Sequence, residues 1–166
     1  VMQAGTTQTV AKFMVTADAG GTISWRELVL AISTSTPSGS LFVTGYNIYD
    51  SANESTVLSN TTAAFGTGLT TVIFTSTADQ QVSGSKTYVV KATIAGAPAT
   101  GATVSANIAG TGVYAAPNVY ATVAAVTTNV FTWSDESVVG HSDLTADWMG
   151  DYLVKNLPTD SQALVK

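Results

Sequence analysis

Most of the chain alternates apolar and polar residues with a period of two, the pattern of strands that bury one face. From Thr9 to Ala17, the residues Ala11, Phe13, Val15 and Ala17 fall on one side, and Val10, Lys12, Met14 and Thr16 on the other. Ala19-Gly20-Gly21 supplies a turn. Thr22 to Ser33 sets Ile23 and Trp25 in one phase, then Leu28, Leu30 and Ile32 in the other. The slip at Arg26-Glu27 predicts a β-bulge or strand bend. Leu41 to Asp50 changes phase in the same way, with Leu41 and Val43 giving way after Gly45 to Tyr46 and Ile48.

Further strands are predicted at Leu69 to Thr75 and at Lys86 to Ile94, where Tyr88, Val90, Ala92 and Ile94 point inward. Thr56 to Leu58 is a candidate short strand in the irregular stretch Ser51 to Gly68. Gly96-Ala97-Pro98 and Thr100-Gly101 predict a hairpin into Ala102 to Ala109. Two more strands follow, at Val119 to Val126 and Val130 to Trp133. The fold class is therefore all-β: an antiparallel β-sandwich, Ig-like or jelly-roll, of about eight strands. A parallel α/β sheet would show continuous apolar runs instead. Residues 1–133 form the sandwich, and residues 134–166 an acidic C-terminal extension packed on or between sandwiches. Within that extension Ser142 to Tyr152 holds at most a short helical turn, capped by Ser142 and limited by Gly150 and Pro158.

Composition narrows the function classes. Only 10% of the 166 residues are charged, against roughly a quarter in an ordinary domain. Ser and Thr, which together make roughly a quarter of the chain, take their place. Six scattered basic residues cannot build the phosphate-neutralising patch that nucleic-acid binding needs. There is no Cys, so there is no thiol nucleophile and no Cys-ligated metal. No apolar run approaches the ~20 residues that span a bilayer, which argues against membrane insertion. Val1 does not open a signal peptide, so an exported chain would be a mature product or an internal piece. Low Lys and abundant Thr lean toward an extracellular or cell-surface location.

Six of the eleven acidic residues lie after Ser134, around the single His. Asp135, Glu136, Asp143 and Asp147 form a weak calcium candidate, because Ca²⁺ takes oxygen ligands. They lack the spacing of a calcium loop, and the alternative is a solvated loop whose acids cap backbone amides. Asp151 and His141 share the same stretch. One His cannot supply a zinc hydrolase. Ser137, His141 and Asp143 have the letters of a triad, without a nucleophile elbow. Glu27 and Asp50 are the only acids available for a paired-carboxylate cleft on the sandwich strands. No enzyme and no cofactor other than calcium is expected from this inventory.

Asn53 and Asn60 sit in glycosylation sequons, which a chain so rich in Ser and Thr also produces by chance. An isopeptide bond from Lys12 to Asn107, Asn118 or Asn129 would need a buried lysine beside an acid. Trp25, Tyr46, Tyr49, Tyr114 and Tyr120 could form a sugar-stacking platform. The competing reading places Trp25, Tyr46 and Tyr88 in the core, in phase with Ile, Leu and Val.

Several segments also carry a resemblance: Thr9 to Gly21 followed by Glu27-Leu28, Leu41 to Asp50, Lys86 to Ile94, and Phe131 to Ser137 followed by His141-Ser142, Asp147-Trp148 and Tyr152 to Pro158. Together they resemble β-sandwich modules of secreted cell-surface proteins of ultrasmall, uncultivated bacteria. The resemblance implies an envelope-layer, filament or adhesin protein and carries no catalytic residues with it.

The expected function is a structural extracellular subunit that assembles with copies of itself into a surface filament or layer. Terminal-strand exchange is the expected route, with Gln8 to Ala17 and Tyr152 to Lys166 as the candidate segments. The alternatives are an adhesin or glycan-binding surface module, and a viral coat or tail protein.

Overall fold

The computed structural model describes residues 1–18, 21–64, 69–110, 119–120 and 130–166. It is an antiparallel β-sandwich, 62% strand, with two sheets packed against each other. The smaller sheet has the order β1-β6-β3, formed by β1 (Thr6–Thr16), β6 (Ser85–Pro98) and β3 (Gly39–Asp50). The larger sheet centres on β2 (Thr22–Ser35). One side of β2 pairs with β5 (Leu69–Ser83), and β5 in turn pairs with β4 (Ser59–Ala64). The other side is divided. Its first half pairs with β9 (Phe131–Ser134), followed by β10 (Trp148–Gly150) and β8 (Val119–Tyr120). Its second half pairs with β7 (Thr103–Ile108), followed by β11 (Gln162–Val165).

The alternation in the sequence maps onto this core. Ala11, Phe13 and Val15 of β1 face Leu28, Leu30 and Ile32 of β2 across the sandwich, all of them buried. The phase slip in β2 is a bulge between Trp25 and Glu27, present in its pairing with both β5 and β9. The change of phase in β3 is a register shift between Thr44 and Asn47, where Gly45 takes a φ of 62°. Tyr88, Val90, Ala92 and Ile94 are buried as their period requires. An aromatic cluster ties the sheets together at one end. Trp25 meets Tyr88 edge-on at 5.0 Å and Phe131 at 5.8 Å, while Phe13 stacks on Tyr88 at 5.4 Å.

Three local expectations change. The turn after β6 forms, with Ala102 N–H donating to Ala99 C=O at 3.0 Å, but β6 and β7 are not a hairpin. The turn carries the chain from one sheet to the other, as does Gly84 between β5 and β6 with a φ of 76°. Thr56 to Leu58 is not a strand, because Leu58 spans the connection between Ile48 and Thr77, donating to the first and accepting from the second. Ser142 does cap a turn, its Oγ accepting the Leu144 N–H at 3.3 Å. That turn does not continue as helix, since Trp148–Gly150 pairs as strand β10. The predicted strand Val119 to Val126 is described only at Val119–Tyr120. The predicted turn residues Ala19 and Gly20 lie outside the described residues.

Residues 134–166 supply β10 and β11 to the larger sheet. Both terminal segments pair within their own chain, β1 with β6 and β11 with β7. Gln162 also bridges the sheets: its side-chain amide accepts the Lys12 N–H at 2.9 Å and donates to the Lys12 C=O at 2.5 Å. That pair of bonds is what a neighbouring strand would make, so Gln162 covers one position on the outer edge of β1.

Candidate functional site

The bulge in β2 creates a buried polar layer on the outer face of the larger sheet. Trp25 faces Gln80 of β5 and Glu27 faces Thr75, so Ser76 to Asp79 form an excursion opposite Arg26 alone. The excursion is tied down by the Ser76 hydroxyl, which donates to Ala78 C=O at 2.7 Å, and by the Gln80 amide, which donates to Ser76 Oγ at 2.9 Å. Arg26 is thereby held at 8% exposure. Its Nε lies 3.5 Å from Asp79 Oδ1, and its terminal nitrogen donates to Asp143.

The segment after β9 folds back over this layer. Gln81, Ser24, Ser134 and Trp148 are successive cross-strand neighbours on β5, β2, β9 and β10. Glu136 lies over that row, accepting from Ser24 Oγ and from Gln81 Nε2 at 3.0 Å. The His141 ring lies against Trp148, the ring centres 5.0 Å apart and the planes tilted by 42°. Its Nδ1 is 2.8 Å from Asp147 Oδ2 and its Nε2 3.5 Å from Asp79 Oδ2. Asp143, Arg26, Asp79, His141 and Asp147 thus form one chain of ionisable side chains linking β2, β5 and the segment before β10. Burial works to raise the Asp147 carboxyl, but hydrogen bonds from Thr145, His141 and Ser134, with the His141 charge, hold it below the usual carboxylate range. Glu27, half-buried beside this layer, is pushed up by burial.

Of the four calcium candidates, Asp143 and Asp147 join this network through Arg26 and His141. Glu136 serves hydroxyl and amide donors, and Asp135 accepts the Ser137 N–H at 3.1 Å. Among the described residues no three His, Cys, Asp or Glu side chains converge on a point where an ion would sit. Asp151 instead clamps the start of β9, its carboxylate accepting the N–H groups of Val130 and Phe131 at 3.0 and 2.8 Å. Asp143 is taken by Arg26, and both His141 nitrogens face carboxylates, so Ser137, His141 and Asp143 form no relay. Glu27 and Asp50 sit on different sheets, Asp50 paired with Lys86 at 3.0 Å.

Sequence reasoning missed Arg26 and Asp79 as members of the network. The phase slip marked the position of Arg26, but nothing in Thr77 to Gln81 distinguished Asp79 from a solvated loop acid.

The remaining candidates are dispersed. Asn53 is exposed in a turn, where its side chain accepts the Ser55 hydroxyl at 2.5 Å. Asn60 lies within β4, paired with Thr75. Lys12 is exposed, and Asn107 pairs with Ala31 in the other sheet. Asn118 and Asn129 lie outside the described residues. Trp25, Tyr46 and Tyr88 are buried in the core, and burial pushes the two Tyr hydroxyls up to about 12. Tyr49 lies under Lys91, whose ammonium is 5.0 Å from the ring centre. Tyr114 and the Tyr120 side chain lie outside the described residues.

A groove of about 650 Å³ opens along the outer edge of β1, against residues Leu153 to Thr159. Phe13, Val15, Ile23, Phe131 and Leu157 line it. Lys12 turns its N–H and C=O away from β6 toward Gln162, so the backbone groups of Met14 and Thr16, in the same phase, turn outward too. Comparison with known family models, curated proteins and solved structures finds no match.

Proposed function

We propose that the chain is a non-enzymatic structural subunit of an extracellular surface assembly, a filament or layer, that joins copies of itself through its strand edges. One observation carries this reading. Among the described residues the sheets end in β1, β3, β4, β8 and β11, and only Lys12 and Asp50 are charged in these strands. Soluble β proteins normally block such edges with charge, proline or short strands, because an open row of N–H and C=O groups is a template for another chain. Here β1 and β3 are eleven and twelve residues long, and their exposed positions are mostly Thr and Gly, with the large apolar Met14 and Phe42 and the single charge of Lys12. The scarcity of charge also leaves little electrostatic repulsion between neighbours. The resemblance to secreted surface modules points the same way.

Sedimentation velocity and negative-stain microscopy of the purified chain test the proposal. Ordered oligomers or polymers that grow with concentration are expected. Introducing Lys at Thr16 on the β1 edge should weaken them without unfolding the monomer. A single monomeric species at every concentration would overturn the reading.

A further inference from the structure

Resting on that self-assembly reading, we infer that the element passed between copies is the C-terminal segment ending in β11, and that the slot it fills on a second copy is the one it occupies on its own. The two candidate segments differ in what they would leave behind. β1 pairs along its whole length with β6 and buries Val10, Ala11, Phe13 and Val15 in the core. Withdrawing it would open the sandwich. No residue from Asp151 to Lys166 is fully buried, and in β11 only Leu164 is even partly covered. Its release costs four strand pairings, a few polar contacts and the packing of Leu157 and Leu164 against the core, far less than withdrawing β1 would.

Each of those contacts is available on a second copy, because the slot is built from parts of the chain that do not move. The edge of β7 offers Thr103 to Ala106 as ladder partners. Lys12 presents the backbone N–H and C=O that the Gln162 amide satisfies together. Met2 N–H meets Val165 C=O at 2.8 Å, and Lys166 N–H meets Ala102 C=O at 2.9 Å. Leu164, opposite Val104, and Leu157 supply the apolar contacts on the core side. Just before these, Thr159 exchanges two hydrogen bonds with Ile108, so Leu157 to Lys166 would move as a unit.

The hinge is Leu153 to Asn156. Leu153 and Asn156 both hold positive φ, 58° and 63°, a region costly for the Leu153 side chain though tolerated by Asn. Straightening the hinge to reach a neighbour relieves that cost, whereas folding back onto the same chain imposes it. Reciprocal exchange would close a dimer, while handing each segment on to the next copy leaves one open slot and one free segment at the ends and grows a filament.

The chain has no cysteine, so one engineered disulfide reports directly. Ser105 and Ala163 are opposite each other on β7 and β11. In the variant carrying Ser105→Cys and Ala163→Cys, oxidising the monomer before assembly should hold it monomeric, and dithiothreitol should restore assembly. Oxidising after assembly should give a ladder of covalent multimers on a non-reducing gel. Each single-cysteine variant, kept reduced, should assemble like the unaltered chain, which controls for damage to the fold. Assembly of the oxidised double variant to the unaltered extent, or covalent bonds confined to monomers in the polymer, would overturn the exchange of β11 and leave the self-assembly reading standing. Unaltered protein that never assembles would overturn both.

Discussion

β2 is buried on both faces, and the two faces are buried by different chemistry. Toward the smaller sheet, Trp25, Leu28, Leu30 and Ile32 meet the aromatic and aliphatic side chains of β1 and β6 in a closely packed apolar layer. Away from it, Ser24 and Arg26 lie under residues 135–147, among Asp79, His141, Asp143, Asp147 and Ser134. The inner face needs only shape, because dispersion and water release do not depend on partner direction. Charged groups on the outer face must instead lie beside opposite partners, since an unpaired buried ion costs far more than a methyl-sized void. The inner face therefore sets how stable the sandwich is, and the outer face sets where the segment before β10 must lie.

The comparison can be broken first from the inside. Trp25→Ala removes a fully buried ring that touches Phe13, Tyr88 and Phe131, and should cost about 4 kcal/mol in urea unfolding. A loss under about 1 kcal/mol would mean that the aromatic cluster does not anchor the sheets. On the outer face Arg26→Ala should cost about 3 kcal/mol, because it leaves Asp79 with His141 alone and frees Asp143. It should also speed hydrogen exchange in residues 135–147 more than in β1 or β6. Equal acceleration everywhere would show that the polar layer is not a separate unit.

Two smaller substitutions use pH to sharpen the contrast. Asp147→Asn should lose about 2 kcal/mol near neutrality, the worth of a charge-assisted buried hydrogen bond. Because the Asp147 carboxyl is held low in the folded chain, its contribution is present above the ordinary carboxylate range. It is lost as pH falls through the lowered value, so variant and unaltered protein should converge in acid. Glu27→Gln should do the opposite by less than about 0.5 kcal/mol, given its partial exposure. Burial raises the Glu27 carboxyl, so the ionised form is the disfavoured one. The gain on substitution should be present at neutral pH and vanish below the ordinary glutamate range. Parallel pH profiles for the two variants would contradict the opposite environments assigned to them.

Much of the inner face was legible in the sequence, down to the bulge at Arg26 and the change of phase at Gly45, because a one-residue slip moves every later side chain to the other face. The outer face was not. Glu136, Asp143 and Asp147 have the composition of a solvated loop, and only the fold brings Ser24, Arg26 and Asp79 beneath them. The hairpin expected between β6 and β7 failed for a related reason. Glycine and proline there reverse the chain, but local turn chemistry does not say which sheet the next strand enters. β10 and β11, three and four residues long, are too short to show a period at all.

By itself the sequence determined the class of structure, the inward faces of β2, β3 and β6 and of most of β1, and the scarcity of charge on the edges, since each is written in the order of side chains along one segment. The far half of β5 and the burial of Val10 beside Ala11 were not. The tertiary structure alone decided the partner of every strand, the crossing of the chain between sheets, the burial of Arg26 among acids and the seating of β11 between the edges of both sheets. The backbone groups that pair strands are the same at nearly every residue, so the pattern along a strand says which face it buries and leaves open the strand it meets.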